Sequence, residues 1–285
     1  MRMSRIMVGI MRLICFLLAV SVLTGCERKK EVYGDSIFSW HSEEIHKESL
    51  AELTEVMKAA NCSVLYQQID YEEPPEMREE FYARMRQEEY RVYYLCGEPD
   101  WITADSMRYI EKAILETAAL KTESDGVVCG LVFDVEPHTL AAWETEAAKL
   151  MDSYVETMLA AYQLAKKQEL EMIVCIPSFY DKEYPEQLET LIAEGCDAIA
   201  VMNYTSRDHL DRVRTEAELA KKYQKQFIYI SEVNAGEPQE LAEQMTEIRF
   251  VWETVRSGLP EMELSFSWHH LDRLKEWMKG ESKDE

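Results

Sequence analysis

The stretch Gly130-Leu131-Val132-Phe133-Asp134-Val135-Glu136-Pro137 reads as a buried β-strand that ends in two carboxylates. Side chains alternate faces along a strand, so Asp134 and Glu136 share one face. Two acids side by side at a strand end are unfavourable unless one holds a proton or both are hydrogen-bonded. That is the electrostatic arrangement an acid/base site needs.

Working outward, apolar runs of the same kind recur at Ser36–Trp40, Ser63–Ile69, Arg91–Cys96, Met172–Pro177, Ala198–Tyr204, Phe227–Val233 and Glu263–Trp268. Most are nearly continuous in apolar residues, as strands covered on both faces are. Amphipathic segments separate them. In one, Ala147, Leu150, Met151, Tyr154, Met158, Ala161, Tyr162 and Ala165 form a stripe at helical spacing. Asp105 suits the N-cap of the helix before strand four, and Pro185 and Pro238 suit first-turn positions. Strict alternation of strand and helix predicts a parallel sheet, and eight repeats predict closure. No Gly-x-Gly-x-x-Gly follows the first strand, which argues against a dinucleotide-binding sheet. The expected fold is of the α/β class, a single (β/α)8 TIM barrel over residues 36–279, with 26–35 as a linker and 280–285 as a disordered tail.

Residues 1–25 read as a leader. Arg2, Arg5 and Arg12 precede an apolar run, Leu13 to Leu23, that is too short for a comfortable membrane span. The run ends in Leu23-Thr24-Gly25-Cys26, which resembles the lipobox of bacterial lipoproteins. That resemblance implies cleavage before Cys26, acylation of Cys26, and an extracytoplasmic protein anchored to the lipid bilayer, since several acyl chains anchor stably. The leader carries three arginines and no acid, so the remainder carries −26 against −23 for the whole chain. Such acidity argues against nucleic acid as a partner. A monomer is expected. Cys62, Cys96, Cys129, Cys175 and Cys196 stand singly, with no Cys-x-x-Cys pair, and read as buried inert thiols. No metal or other cofactor is expected: His41, His138, His269 and His270 fall near strand ends, but without a diagnostic ligand spacing.

In barrels of this type the active site lies at the C-terminal ends of the strands. Those ends supply Trp40, Gln68, Asp134 and Glu136, Ser178 and Tyr180, Asn203 and Tyr204, Glu232, and Trp268 followed by His269-His270. Aromatic faces stack on sugar rings, and acids and amides bind hydroxyls. The glycines and basic residues of a phosphate site are missing from these ends.

The pattern resembles the family 18 glycoside hydrolases, the chitinase-like barrels. Their fourth strand carries Asp-x-x-Asp-x-Asp-x-Glu, and Cys129 to Glu136 matches it at the last two acids, with Cys129 and Val132 in place of the others. Their sixth strand carries Met-x-Tyr-Asp, matched by Met202-Asn203-Tyr204 but with Thr205 last. Their eighth strand ends in a Trp that floors the central subsite, matched by Trp268. The resemblance implies that Glu136 protonates the glycosidic oxygen, that the substrate's N-acetyl oxygen attacks the anomeric carbon, and that Asp134 and Tyr204 hold the acetamido group. It also implies an N-acetylhexosamine-containing glycan as substrate, with Trp268 as a binding residue; from their places at the strand ends, Glu232, Trp40, Gln68 and Asn203 are expected to bind it as well. A second resemblance, to retaining glycosidases of the clan A barrels, implies Glu136 as acid/base and Glu232 as nucleophile, roughly 5–5.5 Å apart. A barrel that binds glycan without cleaving it is the reading suggested by the missing acids.

Overall fold

The computed structural model describes residues 34–103, 105–204 and 207–281. The leader, Cys26 and most of the linker lie outside these residues, as do Thr205 and the end of the tail. Eight parallel strands close into a barrel in chain order. They are β1 (Ser36–Ser39), β2 (Val64–Gln67), β3 (Arg91–Cys96), β4 (Val128–Phe133), β5 (Glu171–Pro177), β6 (Ala198–Met202), β7 (Gln226–Glu232) and β8 (Leu264–His269). Eight helices return the chain: α1 (Leu50–Ala59), α2 (Glu76–Gln87), α3 (Met107–Glu123), α4 (Trp143–Lys167), α5 (Pro185–Glu194), α6 (Arg214–Lys222), α7 (Pro238–Gly258) and α8 (Leu271–Glu281). A separate helical turn, Tyr180–Glu183, precedes α5. The fold is the one the alternation predicts.

Pro185 and Pro238 open α5 and α7, where a missing N–H is of no consequence. Asp105 does not cap α3. Ser106 takes the cap position, and its hydroxyl instead closes a local loop with Thr103. The tail begins later than expected, because α8 runs through Glu281. Asp35 belongs to the barrel rather than to the linker. Its carboxylate accepts the Phe266 N–H at 3.0 Å and its carbonyl accepts the Ser63 N–H at 3.0 Å, which ties the seam between β8 and β1 to β2.

Two apolar layers form, separated by the barrel wall. Phe38, Val64, Tyr66, Tyr93, Leu95, Val132, Ile173, Cys175, Ala198, Ala200, Met202, Ile228 and Ile230 fill the lumen. Their strand neighbours, such as Ile37, Leu65, Leu131, Phe133, Val174, Val201, Tyr229 and Phe266, pack against the helices. Because strand side chains alternate, this partition fixes the direction of every residue at the strand ends. Continuing it upward puts Trp40, Gln68, Asp134, Glu136, Tyr204, Glu232 and His269 on the lumen side of the rim. The lumen is therefore packed below and polar above.

Candidate active site

The acid pair is held by its backbone. The Asp134 N–H donates to the Cys96 carbonyl at 2.9 Å, continuing the β3–β4 ladder past the last strand residue. Gly97 allows this. Its φ is +146°, and a Cβ there would lie 2.3 Å from the Asp134 carbonyl oxygen. Two residues further on, the Glu136 carbonyl accepts from the Thr139 hydroxyl at 2.8 Å and the Thr139 N–H at 3.0 Å. Pro137 opens that 3₁₀ turn, Pro137–Thr139. Both acids thus sit on fixed backbone at the mouth of a packed lumen.

The electrostatics follow from that position. Burial, then the neighbouring Glu136 carboxylate, push the Asp134 carboxyl up to about 7. Its Oδ1 has no hydrogen-bond partner among the described residues. Burial also raises the Glu136 carboxyl. Below the pair lie Val132 and Cys175, the latter a thiol that burial and both acids keep protonated. An acid pair over an apolar floor retains a proton near neutral pH, the state required of a general acid.

Tyr204 extends from the end of β6, 42 % exposed, with its ring stacked on His269 at 5.8 Å and 29°. Burial of its oxygen, followed by Asp134, Cys175, Glu232 and Glu136, keeps the hydroxyl protonated. One phenol therefore feels acids from both β4 and β7. Glu232 ends β7, with Oε1 at 3.9 Å from His269 Nδ1. Beside Tyr204 and Glu232 opens a cavity of about 300 Å³, also lined by His209, Ser231, Gln244 and Glu247. That is at the small end of the range for ligand pockets. Trp40 packs on the lumen cluster from β1, and Gln68 is exposed at the end of β2.

Two expected binding residues face the other way. Trp268 is 1 % exposed and packs edge-on against Phe266 at 4.7 Å, beneath the Arg249 guanidinium at 5.2 Å. It fills the layer between barrel and helices and does not floor a subsite. The reason is parity: Leu264, Phe266 and Trp268 share the outer face of β8, leaving Ser265, Ser267 and His269 for the lumen. Asn203 is buried on the outer face of β6, where its amide donates to the His209 carbonyl at 3.2 Å and the Tyr229 hydroxyl at 3.4 Å. Its role is to brace the loop after β6.

His269 takes the place expected of Trp268. It lies edge-on to Phe38 at 5.4 Å and stacks on Tyr204. Burial and the adjacent His270 lower its imidazole to about 4, so the ring is neutral and acts as an aromatic surface. Of the His269-His270 pair, His270 caps the last helix: its carbonyl accepts the Arg273 N–H at 3.2 Å. The large-small alternation of Leu264-Ser-Phe-Ser-Trp-His269 already carries the signal for this assignment. Gly97 carries no such signal, because its role depends on β4.

Comparison with known proteins places the fold. The sequence matches no protein-family model and no curated protein. Solved structures do match. A GH18 chitinase from Pseudoalteromonas aurantia is 11 % identical, over 88 % of this chain and 100 % of that one, with a TM-score of 0.51. A D-psicose 3-epimerase, determined in the presence of D-fructose, is 8 % identical over 86 % and 90 %, with a TM-score of 0.52. The PgaB (BpsB) glycoside hydrolase domain from Bordetella bronchiseptica is 10 % identical over 87 % and 97 %, with a TM-score of 0.49. The chain has a chitinase-like (β/α)8 barrel. The same architecture carries a hydrolase and an epimerase, so activity must be argued from side chains.

Proposed function

We propose that this chain is a glycoside hydrolase acting on N-acetylhexosamine-containing glycans, with Glu136 as general acid. The observation that carries the proposal is the Asp134–Glu136 pair on the lumen face, with one carboxyl oxygen unpartnered and a proton retained near neutrality. Glu136 gives its proton to the glycosidic oxygen as the bond to the anomeric carbon breaks. The substrate's acetamido oxygen forms the new bond to that carbon from the opposite face. The free Asp134 oxygen accepts the acetamido N–H, and the Tyr204 hydroxyl donates to the same group. Water then attacks, passing its proton to Glu136, and configuration is retained. This departs from the usual two-carboxylate scheme in that the substrate supplies the nucleophile. With Val132 beneath Asp134, the pair cannot hand its proton down the strand, so the cycle is confined to Asp134, Glu136 and water.

One observation favours a second reading. The Tyr204 hydroxyl senses Glu232 as well as Glu136, which suits Glu232 as a nucleophile opposite an acid/base. Substrate choice separates the two. Under substrate assistance, N-acetylglucosamine oligomers are cleaved with retention and oligomers with a 2-hydroxyl are not. If Glu232 is the nucleophile, both are cleaved and Glu232→Gln stops turnover. Binding by calorimetry with no product after long incubation would reject hydrolysis and leave a glycan-binding barrel. The lipobox-like Leu23–Cys26 supports an extracytoplasmic protein held to the membrane by acylated Cys26. Radiolabelled palmitate incorporated by the parent and not by Cys26→Ala is the expected result.

A further inference from the structure

His138 lies two residues beyond Glu136, in the 3₁₀ turn that fastens the acid. Its ring is boxed by aromatic edges, with Phe179 at 5.4 Å, Tyr180 at 6.1 Å and Trp143 at 6.3 Å, all near perpendicular. Tyr180 is itself fully buried and stacked on Trp143 at 6.2 Å. The Tyr180 hydroxyl lies 3.5 Å from His138 Nδ1, and His138 Nε2 faces Glu136 Oε1 at 3.8 Å.

We propose that His138, held by Tyr180 in the Nε2–H tautomer, is a positioning residue that sets the orientation of the Glu136 carboxyl. The proposal rests on Glu136 being the acid of the site. The Tyr180 phenol is kept protonated by burial and by the negative groups Glu136, Tyr184 and Glu183 around it. Nε2 is the ring nitrogen that faces the Glu136 carboxyl, so the tautomer with its proton there, and with Nδ1 accepting from the Tyr180 hydroxyl, satisfies both contacts. The imidazole proton then sits on Nε2, directed at Glu136. The ionisable groups around His138 are Glu136 on its own segment, with Asp134 behind it on β4, and Tyr180 on the turn before α5. Burial lowers the imidazole below its usual value, so the ring is neutral when the acid must carry its proton. A cationic ring would pair with the carboxylate and strip that proton. A neutral N–H, 3.8 Å from Glu136 Oε1, orients that oxygen through its dipole and leaves the other free to donate. The contact arises from the turn after β4 and from the loop after β5.

The test uses the resting protein labelled with ¹⁵N-histidine and, separately, ¹³C-labelled carboxyls. The parent is expected to show His138 as the neutral Nε2–H tautomer at pH 7. Tyr180→Phe keeps the packing and removes the hydroxyl; the tautomer preference is expected to be lost. In His138→Phe the Glu136 carboxyl is expected to titrate higher by about 0.5, because the dipole that favours its charged form is gone. His138→Gln, whose amide N–H can reach the place of Nε2, is expected to restore it. An Nδ1–H or cationic His138 in the parent, an unchanged tautomer in Tyr180→Phe, or an unmoved Glu136 in His138→Phe would each overturn the proposal. With N-acetylglucosamine oligomers, His138→Phe is expected to lower kcat about tenfold at nearly constant KM, with recovery in His138→Gln. Absence of turnover in the parent, with the NMR results intact, would count against the hydrolase reading and not against the geometry.

Discussion

β4 and β8 reach the rim of the barrel by the same alternation and deliver opposite chemistry. On β4 the outward residues Leu131, Phe133 and Val135 satisfy the helix layer, so Asp134 and Glu136 are left to the lumen. On β8 the outward residues Leu264, Phe266 and Trp268 do the same, and the lumen receives two serines and His269. On both strands the helix layer takes the large apolar side chains. A residue's chemical type therefore does not decide whether it joins the site; its parity along the strand does. The lesson extends to β6, where Asn203 braces a loop and Tyr204, one residue on, enters the mouth.

The difference between the two strands can be broken by substitution. The largest effect is expected at Glu136→Gln, which removes the acid with little change of shape; kcat on N-acetylglucosamine oligomers is expected to fall by about 10²–10⁴. A residual rate equal to the parent's would take Glu136 out of the reaction. Trp268→Ala tests the other side of the comparison. It opens a cavity in the helix layer and is expected to lower stability by about 3–5 kcal/mol in denaturant titration, while leaving glycan affinity intact in the folded fraction. Loss of affinity without loss of stability would return Trp268 to the lumen.

Asp134→Asn sharpens the β4 half. The folded Asp134 holds its proton up to about 7, whereas the unfolded carboxyl releases it near 4. Between those values the native state binds more protons than the unfolded one, so stability falls as pH rises through that window and levels off above it. Removing the charge should therefore stabilise the protein at pH 8 by at least ~3 °C in Tm and leave it nearly unchanged at pH 4, while activity drops. An equal Tm at both values would mean that the carboxylate is not buried. The smallest effect is expected at His269→Ala, which removes the ring beneath Tyr204. An aromatic contact of about 0.5–1.5 kcal/mol predicts a two- to tenfold rise in KM, measured by initial rates at fixed pH.

Much of this was legible before any coordinates. The alternation of strand and helix predicted the closed barrel, and the Asp134-Val-Glu136 spacing placed both acids on one face. Trp268 matches the family motif, but its parity, open in Leu-Ser-Phe-Ser-Trp-His, turns it outward, and Asn203 at the end of its strand is one residue out of step with Tyr204. Gly97 and the Tyr180–His138 contact were not legible. Each depends on a partner brought close by the fold: Gly97 is special only because the Asp134 carbonyl lies against it, and His138 has a defined tautomer only because Tyr180 returns from the loop after β5.

The claim on which the account stands is that Asp134 and Glu136 form a half-buried, proton-holding pair at the lumen mouth. A ¹³C-NMR titration of the side-chain carboxyls tests it without any substrate, with Asp134→Asn and Glu136→Gln assigning the two signals. The account predicts that both titrate above the ordinary carboxylate range, Asp134 up to about 7, and that Asp134 moves down when Glu136 is replaced. Two independent transitions near pH 4 would contradict it.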